Sequence, residues 1–132
     1  MRRSALSPAT PEAAWALISR PDRWAEWAPH IRGAWGLAES GGEVVEGARG
    51  AVRLLGIVPV PAVITRVVPG RSWTWRVGAV VEMDHVVSPE AGGTRIAVTL
   101  RAPQPLQAAL SATYGPLVGV LVKRLARKAA EA

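Results

Sequence analysis

The 132-residue chain has no cysteine, no phenylalanine, a single tyrosine and only two histidines. Without cysteine there are no disulfides and no thiolate metal sites, and nothing marks an oxidising compartment, so a cytoplasmic location is expected. Two histidines, with carboxylates that fall mostly on one face of the strands derived below, offer no metal-ligand spacing. No phosphate-binding loop or dinucleotide glycine fingerprint follows a strand, and neither a metal nor another cofactor is expected. Long apolar runs are missing too: none reaches the roughly 18 residues of a membrane span, and the basic start MRRSALSPATPE lacks the apolar stretch of a signal peptide. The chain is expected neither to span a membrane nor to be exported by that route. Its length suits one domain over residues 1–132.

What aromatic volume there is resides in six tryptophans, wide rings that must pack into a core or line a cavity. The net charge is +6, carried almost wholly by arginine. Only Lys123, Arg124, Arg127 and Lys128 form a cluster. Such a balance permits attraction to anionic surfaces, but no basic stripe interleaved with aromatics accompanies it, so no nucleic-acid partner is expected.

Residues Arg2 to Ser7 alternate weakly and end at Pro8, as a first strand would. Thr10 is placed to cap a helix with Pro11 and Glu12 in its first turn and Trp15, Leu17 and Ile18 on its apolar side. Arg20-Pro21-Asp22 interrupts it and opens a second short helix through Trp24 and Trp27, stopped by Pro29. From Ala34 to Arg101, glycine and proline recur at short intervals, at Gly41-Gly42, Gly47, Gly50, Gly56, Pro59, Pro61, Pro69-Gly70, Gly78, Pro89 and Gly92-Gly93. The Val- and Trp-rich runs between them read as six antiparallel strands, seven with the first.

Loop parity fixes which side chains share a face between Ser72 and Leu100. A three-residue loop at Gly78-Ala79-Val80 pairs Val77 with Val81, Trp75 with Met83 and Trp73 with His85. A two-residue loop would instead put Glu82 and Asp84 among the tryptophans, a costly burial for carboxylates. Carrying the register across a Ser88–Gly93 turn pairs Val87 with Thr94, His85 with Ile96 and Met83 with Val98. Arg76, Glu82, Asp84, Arg95 and Arg101 then form a charged opposite face. Beyond Pro103 and Pro105 the period turns helical through Leu106, Leu110, Tyr114, Leu117, Leu121 and Leu125. Gly115-Pro116 bends or restarts that helix. Its last part, Pro116 to about Ala130, spans about 22 Å, enough to cross such a sheet.

Five segments carry a family likeness: Ser7-Pro8-Ala9-Thr10-Pro11 running to Trp15, Pro21-Asp22-Arg23-Trp24-Ala25-Glu26-Trp27, Pro69-Gly70-Arg71-Ser72-Trp73-Thr74-Trp75, Asp84-His85 and Gly93-Thr94-Arg95. They resemble the polyketide cyclase/dehydrase branch of the START-like (SRPBCC) superfamily, over nearly the whole chain. The resemblance implies an α+β helix-grip fold: a curved seven-stranded antiparallel sheet, two short helices after strand one, and a long C-terminal helix closing an internal cavity. It implies a small hydrophobic ligand such as a lipid, polyketide or aromatic metabolite. It also implies a lining of Trp27, Trp35, Trp73, Trp75, Met83, His85, Ile96, Val98, Tyr114, Val118 and Leu121.

Within that frame His85 has two readings, a core histidine satisfied by a backbone carbonyl or water, or a ring that meets a ligand hydroxyl or carbonyl and serves as acid or base. Asp84 cannot orient it, because neighbours on a strand point to opposite faces. Tyr114 either presents its hydroxyl to the cavity or fills the seam between helix and sheet. Trp24 and Trp27, three apart, either plug one end of the cavity or frame its entrance. Three functions follow: binding of a small apolar molecule, a cyclase or dehydratase using His85, or an interaction module using the basic surface. Dimerisation stays open.

Overall fold

The Val- and Trp-rich runs pair into one antiparallel sheet in a computed structural model that describes residues 1–54 and 58–131. The expected turn at Gly56 lies outside them. Strand β1 (Arg2–Ser7) is followed by helix α1 (Pro11–Ser19) and a 3-10 helix (Pro21–Glu26). Then come β2 (Ile31–Trp35), β3 (Arg49–Leu54), β4 (Val58–Val68), β5 (Ser72–Val77), β6 (Val81–Glu90) and β7 (Gly93–Arg101). Helices α2 (Leu106–Thr113) and α3 (Gly115–Ala130) end the chain. Sheet order is β1-β7-β6-β5-β4-β3-β2, the α+β helix-grip architecture.

Local chemistry explains the helix pair. Thr10 Oγ1 accepts the Ala13 N–H at 3.1 Å and caps α1, with Pro11 in the first turn where no donor is missed. At the other end the last carbonyls lack intrahelical partners and no basic side chain serves them. Indole N–H groups do so instead. Trp24 and Trp73 both donate to the Ile18 carbonyl, at 2.9 and 3.1 Å, and Trp27 donates to that of Leu17 at 3.2 Å. The helix pair is thereby tied to β5 through Trp73.

The β5–β6 register is as the loop parity requires: Val77 opposite Val81, Trp75 opposite Met83, Trp73 opposite His85. The β6–β7 register differs from expectation. The hairpin turns at Ala91-Gly92, where Gly92 takes φ +79°, and pairing continues to Glu90–Gly93. His85 therefore faces Val98, Val87 faces Ile96 and Met83 faces Leu100. The shift is by two residues, so every side chain keeps its face. Pro59 and Pro61 also lie inside β4, not at its ends. Strand β5 first pairs with β4 at Ala62, so both prolines precede that ladder and cost it no donor.

The C-terminal helical stretch restarts at Gly115-Pro116. Helix α2 buries none of its residues, whereas α3 buries Val118, Leu121, Val122, Leu125, Ala126 and Ala129 at three- and four-residue spacing. Helix α3 packs on β1, β7 and α1. Gly115 admits the Arg3 guanidinium, which a Cβ would approach to 2.9 Å. One buried bond pins the helix to the sheet edge: Ser7 Oγ donates to the Ala126 carbonyl at 2.7 Å and accepts the Ala9 N–H at 3.1 Å.

Ser7→Ala leaves the Ala9 N–H without its partner and removes the second bond to the Ala126 carbonyl, and is expected to cost about 1–3 kcal/mol. A lower urea midpoint at unchanged m value is the signature. A midpoint within error of the parent would show that α3 is held by its apolar face alone.

Candidate functional site

Between the sheet and the C-terminal helices lies a cavity in two joined chambers. The outer one, about 240 Å³, is walled on the sheet side by Ile31, Val52, Trp75, Val77, Val81, Met83 and Leu100, and on the other by Leu110 of α2, Tyr114 and His30. The inner one, about 40 Å³, shares His30, Ile31, Trp75, Met83 and Tyr114 and adds Trp27, Ala28, His85, Val98, Val118, Leu121 and Val122. None of these residues is Lys, Arg, Asp or Glu.

Behind this lining the rings are layered. Trp24 stacks on Trp73 with centroids 5.3 Å apart, and Trp73 stacks on His85 at 3.7 Å. Trp75 stands nearly perpendicular to all three. His85 Nδ1 lies 3.2 Å from the Trp73 carbonyl, which can only accept, so Nδ1 carries a proton. Burial pushes its pKa down to about 4, against weaker pulls upward from the Trp73 carbonyl and the Asp84 charge. Asp84 itself lies on the opposite face. It accepts from the Thr74 hydroxyl at 2.7 Å and from Arg101, whose guanidinium holds the carboxyl below its usual range.

A second polar pair sits where the chambers meet. His30 Nε2 lies 3.2 Å from the Tyr114 hydroxyl, with the two rings edge to face at 6.2 Å. Burial lowers the His30 pKa and raises that of Tyr114, so both are neutral near pH 7. His30 Nδ1 and Trp75 Nε1 are buried without a hydrogen-bond partner. Such an orphaned group costs about 1–3 kcal/mol. Every other buried indole has an acceptor: Trp15 uses Glu43, and Trp24, Trp27 and Trp73 use the end of α1. Among the described residues, no three His, Asp or Glu side chains gather where they would hold a metal ion.

Of the residues expected around a cavity, the structure gathers Trp27, Trp75, Met83, His85, Val98, Tyr114, Val118 and Leu121. Three lie elsewhere. Trp35 is 47% exposed on edge strand β2 beneath the Arg53 guanidinium. Trp73 is sandwiched between Trp24 and His85, one layer behind the wall. Ile96 is fully buried opposite Val87, displaced by the two-residue register shift. That same shift hid Leu100. Val77 and Val81 were legible as a facing pair at the hairpin mouth. His30 and Ile31 follow a proline stop and carry no periodic signal.

A family model described as polyketide cyclase / dehydrase and lipid transport matches residues 1–132. The chain belongs to this family. No curated protein matches it. Protein MLL2253 from Mesorhizobium loti has a similar structure, with TM-score 0.75 at 13% identity over 96% of this chain and 93% of that one. Ara h 8.0201 aligns with TM-score 0.68 at 13% identity over 100% and 97%. DynU16, from the dynemicin biosynthetic locus, gives TM-score 0.71 at 19% identity over 96% of this chain but 45% of its own. At these identities the likenesses establish the SRPBCC helix-grip fold. No described helix is long and apolar enough to cross a membrane.

The buried histidines set an acid sensitivity. A base with a depressed pKa is protonated first in the unfolded chain, so the stability due to neutral His85 is complete above pH 6.5 and is lost as pH falls from there toward 4. His30 acts in the same direction. Between about pH 7.5 and 5.5, above most of the carboxylate range, the unfolding free energy should fall by about 1 kcal/mol from His85 alone. Urea titrations across that range should show the slope in the parent and a much flatter one in His85→Phe. Equal slopes in the two proteins would mean the imidazole is not held neutral by burial.

Proposed function

We propose that the chain binds a small apolar molecule in the chamber between the sheet and α2–α3. The carrying observation is the chamber itself, about 240 Å³ walled almost wholly by aliphatic and aromatic side chains. Protein interiors ordinarily close such voids. An apolar cavity of about 150 Å³ takes one benzene, so this one suits a bicyclic aromatic or a short branched chain. Burial of ligand surface contributes about 25 cal/mol per Å² before the costs of association, and no charged anchor is needed. The family description names polyketides and lipids, and one structural neighbour comes from a biosynthetic locus. Both agree with an apolar metabolite as ligand.

The other readings have less to support them. His85 has its Nδ1 proton on a backbone carbonyl and no ionisable partner, which suits a core histidine better than a catalytic one. In the basic cluster, Arg124 donates to the Glu26 carbonyl and Lys128 pairs with Glu131, as on a solvated helix end.

Naphthalene is a suitable probe. It should stabilise the folded state by about 2.7 kcal/mol at a free concentration a hundred times Kd, read as a rise in the thermal midpoint that keeps growing with the logarithm of concentration. Leu110→Trp fills the outer chamber from the half-buried side of α2 and should weaken binding by about tenfold or more. A folded parent that neither shifts with naphthalene nor differs from Leu110→Trp would mean the chamber is not a binding site.

A further inference from the structure

The frame leaves no buried indole without an acceptor except one, and that one lines both chambers. Trp75 Nε1 has no partner, while the four other buried tryptophans each have theirs. The second orphan at the cavity, His30 Nδ1, belongs to the ring that meets Tyr114 at the same junction. From this coincidence we infer that the junction recognises one neutral hydroxyl or carbonyl group on an otherwise apolar, bicyclic-sized ligand. The inference rests on the reading that the chamber binds ligand, and adds its chemical class.

The donor and acceptor supply suits such a group. Trp75 Nε1–H can only donate, so a ligand atom brought to it would be an acceptor. The His30–Tyr114 pair works both ways: the phenol donates to Nε2 and leaves Nδ1–H as a donor, or Nε2–H donates to the phenol oxygen and leaves Nδ1 as an acceptor. A ligand carbonyl satisfies the first arrangement and a ligand hydroxyl either one. An anionic head is disfavoured. No Lys or Arg lines either chamber, and burial keeps both histidines and the tyrosine neutral. A carboxylate taken to the junction would lose its hydration without a compensating charge. Held at the mouth, it would forgo the polar contacts. Free fatty acids and aromatic acids are therefore the poorer class, and phenols, ketones and alcohols the better one.

The test compares three ligands of one shape at pH 7 by calorimetry: naphthalene, naphthol and naphthoate. Naphthol should bind about tenfold tighter than naphthalene, the gain of one satisfied buried hydrogen bond. Naphthoate should bind about tenfold or more weaker than naphthol. In Trp75→Phe and in His30→Phe, each of which removes one of the two orphaned groups, the naphthol-to-naphthalene affinity ratio should fall to within about threefold of unity. If naphthalene itself does not bind, the chamber reading fails. Naphthalene binding with naphthol no tighter, or naphthoate as tight as naphthol, overturns only the neutral-head inference. A ratio unchanged in both Trp75→Phe and His30→Phe also overturns it, because neither orphaned group would then read the oxygen.

Discussion

The carbonyls that end α1 are the constraint on which the rest of the structure depends. A nine-residue helix buried at its C-terminus must find donors for its last carbonyls, and here three tryptophans supply them. Ile18 takes two indoles, one from the 3-10 helix and one from β5, and Leu17 takes a third. Phenylalanine would fill the same space but has no N–H. That accounts for tryptophan at these three positions. Because Trp73 is committed to Ile18, its ring plane is fixed; because Trp73 is fixed, Trp24 stacks on one side and His85 on the other. The floor of the cavity is set by a helix cap some distance away.

The two C-terminal helices hold the cavity unequally. Helix α3 carries a continuous apolar face and the buried Ser7–Ala126 bond, 119 residues apart in sequence. Helix α2 has eight residues, too few to be stable alone, and buries none of them. It contributes only the half-buried Leu110 to the chamber wall. Local opening costs least where few apolar contacts would be lost, and α2 is the least anchored part of the wall. The rigid part of the grip and its yielding part meet at Tyr114, which joins the helices and belongs to the polar pair.

Most of the fold was legible because two independent signals agreed. Around Gly78, hydrophobic alternation and the cost of burying Glu82 and Asp84 both demanded the observed register, with Arg76, Glu82, Asp84 and Arg101 paired outside. Across the next hairpin only turn propensity spoke. Pro89, Gly92 and Gly93 look like a long turn, yet Pro89 is accommodated in the ladder opposite Thr94 and the reversal needs only Ala91-Gly92. Parity survived the error, which is why Met83, His85 and Val98 still reach the cavity while Ile96 and Leu100 exchange roles. Trp35 was placed by its residue type. Its strand is five residues long with a bulge between Ile31 and Gly33, and no period of that length fixes a face. His30 lies between a proline and a strand, where only three-dimensional proximity to Tyr114, 84 residues away, gives it meaning.

Buried polar groups in this protein fall into two sets, and the division locates function better than any single residue does. One set is satisfied and builds the frame: Ser7, Thr94, Trp15, Trp24, Trp27, Trp73 and His85 Nδ1. The other comprises Ser19 Oγ, His30 Nδ1 and Trp75 Nε1. Ser19 lies at the end of α1 and lines neither chamber. The remaining two belong to rigid rings whose donors and acceptors are fixed in direction, and both rings line the cavity. Folded chains satisfy the great majority of such groups, and this one satisfies four buried indoles with acceptors drawn from distant parts of the sequence. A fold able to do that for four rings leaves the fifth incomplete, and that ring stands in the wall of the large apolar chamber.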